Sequence, residues 1–338
     1  MSEPRPLSYK DSGVDVEAGD RFIDRIRAAV DGTRTPQVLG AVGGFGGLFA
    51  PSLKGMFEPV LVASADGVGT KLKIAFATGS HASVGGDLVR HCCNDVAVLG
   101  ATPLFFLDYL ATGRLASDVL ASLVEGMAAA CREEGVALLG GETAEMPGFY
   151  AEGEYDCAGF VVGIADRARL VDGKHIRPGD RLVGLPSSGL HTNGYSLARR
   201  IVAETPALAL EARPPELGGA TVAQALLAPH VSYTREIRRF LDDPAADAKG
   251  FAHITGGGIG GNLGRILPKH ADARIRARSW SEPPVFDLLR RAGRVSEDDM
   301  RRTFNLGIGL IAVVGGRAPI GVEIGEVVAG TGRVSWVE

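Results

Sequence analysis

Residues 59–71 read PVLVASADGVGTK, and this stretch decides how the rest of the sequence is interpreted. Its first half, Pro59 to Ser64, is a short apolar run that predicts a buried strand. The acid Asp66 follows at the end of this strand beside a glycine, and Lys71 comes five residues later. The stretch therefore predicts a sheet strand that ends in a polar, glycine-rich turn.

Further strands and helices are predicted on both sides of this stretch. Apolar residues at Phe22, Ile23, Ile26 and Val30 fit one face of a helix, and Asp118 is expected to cap a helix that runs through Glu134. Other predicted helices cover residues 81–99, 194–204, 232–241 and 256–266. Other predicted strands cover residues 104–110, 136–139, 159–164, 181–185, 303–314 and 325–328.

The spacing of these elements predicts an α+β fold rather than a doubly wound sheet, because strands and helices do not alternate regularly. Two turn signals near residues 166–180 predict a boundary between a domain of residues 1–170 and a domain of residues 171–338. The length of 338 residues is sufficient for two domains.

Composition excludes several classes of protein. The formal net charge is -4 without a basic stripe, so nucleic-acid binding has no electrostatic support. No apolar run approaches the length of a membrane span, and the polar N-terminus does not resemble a signal peptide. The four cysteines and the histidines lack zinc-ligand spacing, and no Gly-x-Ser-x-Gly motif of a serine hydrolase is present. We expect a cytoplasmic protein that binds neither nucleic acid nor membrane.

Three acids share one local pattern, since each follows an apolar segment and has small or polar neighbours. They are Asp66, Asp95 and Glu142. Mg²⁺ prefers oxygen ligands, and carboxylates from different segments of one sheet can converge on it. Lys71 is expected to offset phosphate charge. These residue types predict a magnesium site for phosphoryl transfer, which depends on positioning and charge neutralisation.

Glycine clusters are the second recurring feature. GGFGG at 43–47 is not a P-loop, since it lacks the Gly-Lys-Ser/Thr ending, and it is interpreted as either a linker or a mobile flap over nucleotide, with Phe45 as an apolar contact. SSGLHTNG at 187–194 and HITGGG at 253–258 each precede a predicted helix, where free N–H groups favour anions. Each contains one histidine, His191 or His253, which is either a packed residue or a catalyst.

Nine motifs occur in an order that identifies a family. They are SYKDSGVD (8–15), GGFG (43–46), DGVGTK (66–71), ND (94–95), FFLDYLATG (105–113), GGETAEMPG (140–148), SSGLHTNGYS (187–196), HITGGG (253–258) and TFN (303–305). Together they resemble the phosphoribosylformylglycinamidine cyclo-ligase family over nearly the whole chain. The motifs at 140–148 and 187–196 are much more specific than any single glycine cluster.

The resemblance implies an ATP- and Mg²⁺-dependent ring closure of formylglycinamidine ribonucleotide to aminoimidazole ribonucleotide. It also implies a homodimer whose N-terminal domains pair their sheets into a shared barrel, with a mixed sheet and helices in the C-terminal domain. The implied metal ligands are Asp66, Asp95 and Glu142. The implied nucleotide residues are Gly43, Gly44, Phe45, Gly46, Lys71, Asp108, Thr112 and Gly141. The implied substrate residues are Ser188, Gly189, Asn193, Thr255, Gly257 and Gly258, with His191 and His253 moving protons or stabilising charge.

Two departures and two rival interpretations accompany the resemblance. Arg27 stands where some family members have a lysine, and the segment between Val314 and Gly325 is too short for the helix that is usual there. One rival is a selenophosphate synthetase or thiamine-phosphate kinase of the same superfamily, although the former would usually have a reactive cysteine before Cys92. The other is a nucleotide-binding scaffold without catalysis, which the intact acids and histidine motifs disfavour.

Overall fold

The apolar run at residues 59–64 forms the start of strand β1, Pro59–Gly67, in the computed structural model, which describes residues 6–40 and 43–338. Alternate side chains of β1 are exposed and half-buried, as expected for a strand with helices on one face only. Residues 1–5 of the predicted first domain and residues 41–42 beside the predicted flap lie outside the described residues.

The first sheet contains four strands in the order β1-β4-β2-β3. The other three are β2 (Thr102–Thr112), β3 (Ala137–Glu145) and β4 (Tyr155–Asp166). Strand β4 pairs antiparallel with β1 and β2, whereas β2 and β3 are parallel. The helices of this half are α1 (Val16–Asp31), α2 (Leu72–Thr78), α3 (His81–Ala97) and α4 (Ser117–Glu134).

Helices α1, α3 and α4 cover one face of the first sheet and bury its core. Phe22, Ile26 and Val30 of α1 are buried in this core, which confirms the predicted helical face. Helix α3 is buried on nearly every side, because it lies between the first sheet and the second half of the chain. A polar residue on α3 therefore has protein around it unless it faces a cleft.

The second sheet contains six strands in the order β10-β7-β9-β5-β8-β6. They are β5 (Arg181–Pro186), β6 (Ala248–His253), β7 (Ala271–Arg276), β8 (Ile308–Val314), β9 (Val322–Ala329) and β10 (Val334–Val337). The helices are α5 (Tyr195–Glu204), α6 (Val222–Leu226), α7 (Thr234–Asp242), α8 (Gly258–Leu263), α9 (Pro284–Gly293) and α10 (Glu297–Thr303). All its pairs except β7–β10 are antiparallel, so the predicted α+β class is confirmed.

Several predicted boundaries differ from the structure, four of them next to residues of the motifs or of the predicted cap. Helix α4 is preceded by Ala116, and Asp118 lies in its first turn, where it pairs with Arg25 instead of capping the helix. Strand β3 continues through Glu142 to Glu145, because the paired strand β2 supplies partners for the glycine-rich backbone. Helix α8 ends at Leu263 rather than at residue 266, and Thr303 ends a helix rather than starting a strand.

The shortened segment before β9 leaves part of the second sheet covered by charged side chains. Arg276 and Arg181 both pair with Glu323 of β9 on the face opposite the buried Ile324, with nitrogen–oxygen distances of 2.9 and 3.7 Å. The segment itself contributes Ile320, which packs partly buried against the neighbouring core. Solvent-facing ion pairs thus lie on this part of the second sheet.

The face of the first sheet that is turned away from the helices is apolar and exposed. Leu61 of β1 and Phe160 of β4 are 66% and 43% exposed. In the described part of one chain this sheet is open, with β1 and β3 at its edges, so the predicted barrel requires a second chain. Among residues 6–40 and 43–338, none of the helices is both long and apolar enough to cross a membrane.

Candidate active site

Two predicted acids, Asp66 and Asp95, meet where strand β1 faces helix α3. Asp66 and Ser64 lie on the same face of β1, two residues apart, and Asp95 and His91 lie on the same face of α3, four residues apart. His91 Nε2 lies 2.8 Å from Asp66 Oδ2, and Ser64 Oγ donates to Asp95 Oδ2 at 3.2 Å. The spacing of the two motifs thus places both carboxylates in one cluster.

The second half of the chain adds His253 to this cluster. His253 ends strand β6, and its Nδ1 lies 2.8 Å from Asp95 Oδ1. Burial raises the pKa of Asp95, but the hydrogen bond and charge of His253 outweigh it, and the net shift is downward. Burial lowers the pKa of His253 despite the opposing effect of Asp95. At neutral pH the pair is therefore an ionised carboxylate that is oriented by an imidazole.

Two buried residues hold the two halves of the chain together: Asn94, which the sequence analysis named only as part of a motif, and His230, which it did not name. Asn94 Oδ1 accepts a hydrogen bond from Tyr233 N at 2.7 Å, and Asn94 Nδ2 donates to Val231 O at 2.9 Å. His230 N donates to Asp87 Oδ1 of α3 at 2.7 Å. The i,i+4 spacing of His91 and Asp95 on a predicted helix was a usable signal for His91, whereas nothing in the loop sequence marks His230.

Lys71 lies elsewhere than predicted. Its side chain is completely buried, and its Nζ contacts Asp87 Oδ2 at 2.6 Å, His191 O at 2.8 Å and Ala228 O at 3.1 Å. These three partners use all the N–H donors of the ammonium group. The side chain joins α2 and α3 to the second half of the chain, so its position gives no support to the predicted contact of Lys71 with ATP phosphate.

His191 is also a packed residue in this structure. Its side chain is fully buried, its backbone has a φ of 63°, and its Nε2 accepts hydrogen bonds from Ser188 N and Val231 N at 3.3 and 3.4 Å. Burial, followed by the nearby positive groups, lowers its pKa well below the usual value. A neutral, enclosed ring that organises two loops does not fit the predicted proton transfer to substrate.

Glu142 does not join Asp66 and Asp95. The register of the first sheet aligns Asp66, Gly159, Asp108 and Gly141 in one row across four strands. Glu142, next to Gly141, therefore lies about 14 Å from Asp66, since three strand spacings separate them. The structure thus divides the predicted metal ligands into a pair and a separate residue.

Glu142 and Asp108 line a cavity of about 520 Å³ at the edge formed by β3, which we call the flap cavity. The glycine cluster at 43–47 covers this cavity, and Phe45 is fully exposed at its rim. The Asp108 carboxylate lies against Gly141, where an added Cβ would be 1.6 Å from Asp108 Oδ1. Burial, followed by the charge of Glu142, raises the pKa of Asp108 to about 7.

Thr112 does not line the cavity that contains Asp108. It is buried four residues further along β2, and its hydroxyl lies 2.9 Å from Arg114 O and 3.1 Å from Glu154 O. These carbonyls belong to the turn after β2 and the residue before β4. The Thr112 hydroxyl is used within the fold, so its position gives no support to the predicted contact with nucleotide.

The two predicted anion loops lie side by side. A Cβ added at Gly256 would be 3.2 Å from Asn193 Oδ1, which places loop 253–258 against loop 187–194. Asn305 of the TFN motif holds loop 187–194: its Nδ2 donates to Gly189 O at 2.8 Å, and its Oδ1 accepts from Ser187 Oγ at 2.9 Å. Gly257 and Gly258 have φ values of 94° and 62°, which suit glycine. The two loops therefore bring together Ser188, Gly189, Asn193, Thr255, Gly257 and Gly258, although Thr255 bonds to Asn262.

Comparison with known proteins gives consistent matches over both halves. The family model "AIR synthase related protein, N-terminal domain" matches residues 55–165, and the corresponding C-terminal domain model matches residues 177–336. The phosphoribosylformylglycinamidine cyclo-ligase of Myxococcus xanthus is 52% identical over 98% of this chain and 98% of its own. That of Sorangium cellulosum is 52% identical over 98% and 94%.

Solved structures of other proteins share the fold at low sequence identity. A thiamine-monophosphate kinase from Stenotrophomonas maltophilia has a TM-score of 0.67 and 19% identity, covering 93% of this chain and 95% of its own. The hydrogenase maturation protein HypE in complex with ATP has a TM-score of 0.64 and 19% identity, covering 96% and 92%. These likenesses support the two-domain architecture and concern the fold alone.

Proposed function

The chain belongs to the phosphoribosylformylglycinamidine cyclo-ligase family, and on this premise we propose that it forms aminoimidazole ribonucleotide in purine biosynthesis. The observation that carries the proposal is the 52% identity to such ligases over 98% of the chain. The enzyme is an ATP-dependent cyclo-ligase. Its substrate is formylglycinamidine ribonucleotide, and its other products are ADP and phosphate.

The reaction requires the formamide oxygen to become a leaving group. ATP transfers its terminal phosphoryl group to that oxygen, and the amidine nitrogen of the same molecule then attacks the carbon. The bond between this carbon and the phosphorylated oxygen breaks, phosphate departs, and the nitrogen loses a proton as the ring closes. Water would compete with the internal nitrogen, so the protein must orient the chain of the substrate and exclude solvent.

Asp66 and Asp95 fit a magnesium ion that accompanies the nucleotide. Their side chains remain 36% and 28% exposed, and each is oriented from behind by an imidazole. Magnesium in such sites is held by one or two carboxylates together with substrate phosphates, and it would neutralise charge on the transferred phosphoryl group. Glu142 is too far from Asp66 to bind the same ion, so we assign it instead to the flap cavity.

We assign the nucleotide to the flap cavity beside β3. Gly43, Gly44, Phe45 and Gly46 form its cover, and Asp108 and Gly141 form part of its wall. Apolar side chains such as Ile26 and Leu138 also line it, which suits an aromatic base. Closure of the flap over bound nucleotide would exclude water from the reacting phosphate.

We assign the ribose phosphate of the substrate to the neighbouring loops at 187–194 and 253–258. Glycine-rich segments let phosphate oxygens approach the backbone closely, and Ser188, Gly189, Asn193, Gly257 and Gly258 lie in these two loops. His253 closes the gap between this region and Asp95. Its Nδ1 lies against Asp95 and its Nε2 beside His230, so any effect of His253 on charge near the magnesium site would be exerted through the Asp95 carboxylate.

We further propose that two copies pair through the open face of the first sheet. The exposed side chains of Leu61 and Phe160 lie on that face, and exposed apolar surface of this kind marks protein interfaces. In this arrangement residues 1–170 form the domain for dimerisation and ATP, and residues 171–338 bind the substrate phosphate.

The proposal is tested with purified chain, formylglycinamidine ribonucleotide and magnesium ATP. We expect equal amounts of ADP and of aminoimidazole ribonucleotide, which is detected as an aromatic amine by diazo coupling. Asp66→Asn should reduce turnover at least a hundredfold with an unchanged circular dichroism spectrum. Asp20→Asn, which changes an exposed acid of α1, is the matched control and should retain activity. ADP release without the aromatic amine would refute the assignment.

A further inference from the structure

Thr192 makes a contact that links the two proposed ligand regions. It lies in loop 187–194, yet its Oγ1 is 2.5 Å from His91 Nδ1 on helix α3. Thr192 and His91 are 8% and 4% exposed, so water does not compete effectively for this hydrogen bond. The sequence analysis assigned no role to either residue.

The contact continues directly to a proposed metal ligand. His91 Nε2 lies 2.8 Å from Asp66 Oδ2, and an ionised carboxylate only accepts hydrogen bonds. The proton of a neutral His91 ring therefore belongs on Nε2, and Nδ1 accepts the hydroxyl proton of Thr192. This tautomer is inferred from the partners. One imidazole thus connects the hydroxyl of Thr192 to the carboxylate of Asp66 with defined donors and acceptors.

The other side of Thr192 is connected to the substrate loop. Its Oγ1 accepts a hydrogen bond from Asn193 Nδ2 at 3.3 Å, and His230 Nδ1 lies 3.5 Å from the same oxygen. Asn193 and the proposed phosphate residues Ser188 and Gly189 belong to the same short loop. A phosphate that orders this loop would therefore also fix the hydroxyl of Thr192.

We propose that Thr192 and His91 are positioning residues that couple binding of the ribose-phosphate substrate to the orientation of Asp66. The inference rests on the proposed function. Occupation of the loop holds Thr192 in place, Thr192 holds His91, and His91 turns the carboxylate toward the nucleotide-bound magnesium ion. Coupling of this kind is reciprocal, so magnesium nucleotide also strengthens binding of the substrate.

The test measures this coupling without turnover. The affinity for a non-hydrolysable ATP analogue with Mg²⁺ is measured by titration calorimetry with and without saturating formylglycinamidine ribonucleotide. We expect the substrate to tighten binding of the analogue by about 5- to 150-fold in the wild type. Thr192→Val keeps the shape of the side chain but removes the hydroxyl. We expect it to bring the ratio of the two affinities, with and without substrate, to within about twofold of one. Thr192→Ser keeps the hydroxyl and should restore the ratio.

Thr78→Val is the matched control, because the Thr78 hydroxyl bonds to Ile74 O of its own helix at 2.8 Å. It should leave the ratio at the wild-type value. If Thr192→Val does not fold, His91→Asn interrupts the same connection and should abolish the ratio in its place. If the substrate still tightens binding of the analogue in either folded variant, or if the wild type shows no coupling, the inference is overturned. The proposed function is not affected by either result. A wild type that binds neither ligand overturns the proposed function as well.

Discussion

Asp108 has the most unusual ionisation among the residues assigned to the nucleotide. Its carboxyl group lies beside Glu142 in the wall of the flap cavity, and burial is the main reason that its pKa is raised from 3.8 to about 7. The folded state therefore keeps a proton that the unfolded chain loses. By this sign, ionisation of Asp108 destabilises the folded protein as the pH rises from about 4 to about 7.

We expect Asp108→Asn to be more stable than the wild type at pH 8, and the difference to shrink toward pH 4. The upper limit is about 4 kcal/mol, since each pKa unit corresponds to about 1.4 kcal/mol. Urea unfolding at several pH values measures the free energy of unfolding. Asp20→Asn, at an exposed position, should show no such trend. An Asp108→Asn protein whose advantage is independent of pH would contradict the raised pKa.

Lys71→Met separates the structural role of this lysine from the predicted phosphate role. The substitution leaves Asp87 charged and buried, which costs about 3–5 kcal/mol of unfolding free energy. Lys71→Met with Asp87→Asn should recover much of this loss, because no buried charge remains and Asn keeps an acceptor for His230 N. Exposed Lys54→Met is the control. Full stability with weakened binding of nucleotide would instead restore the original prediction.

Residue types predicted the site only in part. Asp66 and Asp95 were found because carboxylates in such motifs have a recognisable chemistry, and the structure places them together. For Lys71 and Thr112 the sequence did not reveal that the polar side chain is enclosed by its own fold. The positions of these side chains depend on contacts with segments more than 40 residues away, such as Glu154 for Thr112.

At the scale of elements, the contact between α3 and α4 depends on two glycines. A Cβ at Gly126 would lie 1.9 Å from Ala82 O, and a Cβ at Gly85 would lie 2.1 Å from Leu123 O. Both clashes involve backbone atoms, so a small side-chain movement cannot relieve them. The close approach of the two helices fixes α3, and with it His91 and Asp95, relative to the sheet.

Gly126→Ala should therefore destabilise the protein, although alanine is the better helix former. Overpacking typically costs about 1–3 kcal/mol, which exceeds the gain of at most about 1 kcal/mol from helix propensity. Gly19→Ala in α1 is the matched control, because a Cβ there meets nothing within 4 Å. We expect a lower melting temperature for Gly126→Ala and a slightly higher one for Gly19→Ala. The opposite order would show that the two helices separate easily.

Periodicity predicted elements well where one face is buried. Helix α1 contains the four apolar residues of the predicted face, and strand β5 is close to its predicted range, because their apolar residues follow the local geometry. Strand β7, ADARIR, was missed although it alternates apolar and charged residues, so this signal was available. Strand β6 gave no such signal, since all but its first residue are buried and its sequence has no period. The extension of β3 through two glycines depends on pairing with β2, which is not a local property.

At the scale of the whole molecule, the candidate site exists only because the two halves of the chain meet. Asp95 comes from the first half and His253 from the second, 158 residues apart in sequence. The mixed arrangement of strands and helices predicted the α+β class. The contact between the halves could not be predicted from the sequence, because it depends on buried polar residues such as Asn94 and His230.

Phe160→Asp tests the proposed pairing of chains through the open sheet face. We expect the wild type to sediment as a dimer and the variant as a monomer, because a buried unpaired charge costs several kcal/mol at an interface. The side chain is 43% exposed in one chain, so its replacement should leave the monomer folded. Exposed Phe149→Asp, in the loop before β4, is the control. A Phe160→Asp protein that remains a dimer would place the interface elsewhere.

The most direct measurement follows the formamide oxygen of the substrate. Formylglycinamidine ribonucleotide that carries a heavy oxygen isotope at its formyl group is converted with magnesium ATP, and the inorganic phosphate is analysed by mass spectrometry. We predict one heavy oxygen in each phosphate released and none in ADP, because that oxygen leaves bound to the transferred phosphorus. Phosphate free of the label, with aminoimidazole ribonucleotide still formed, would contradict the account.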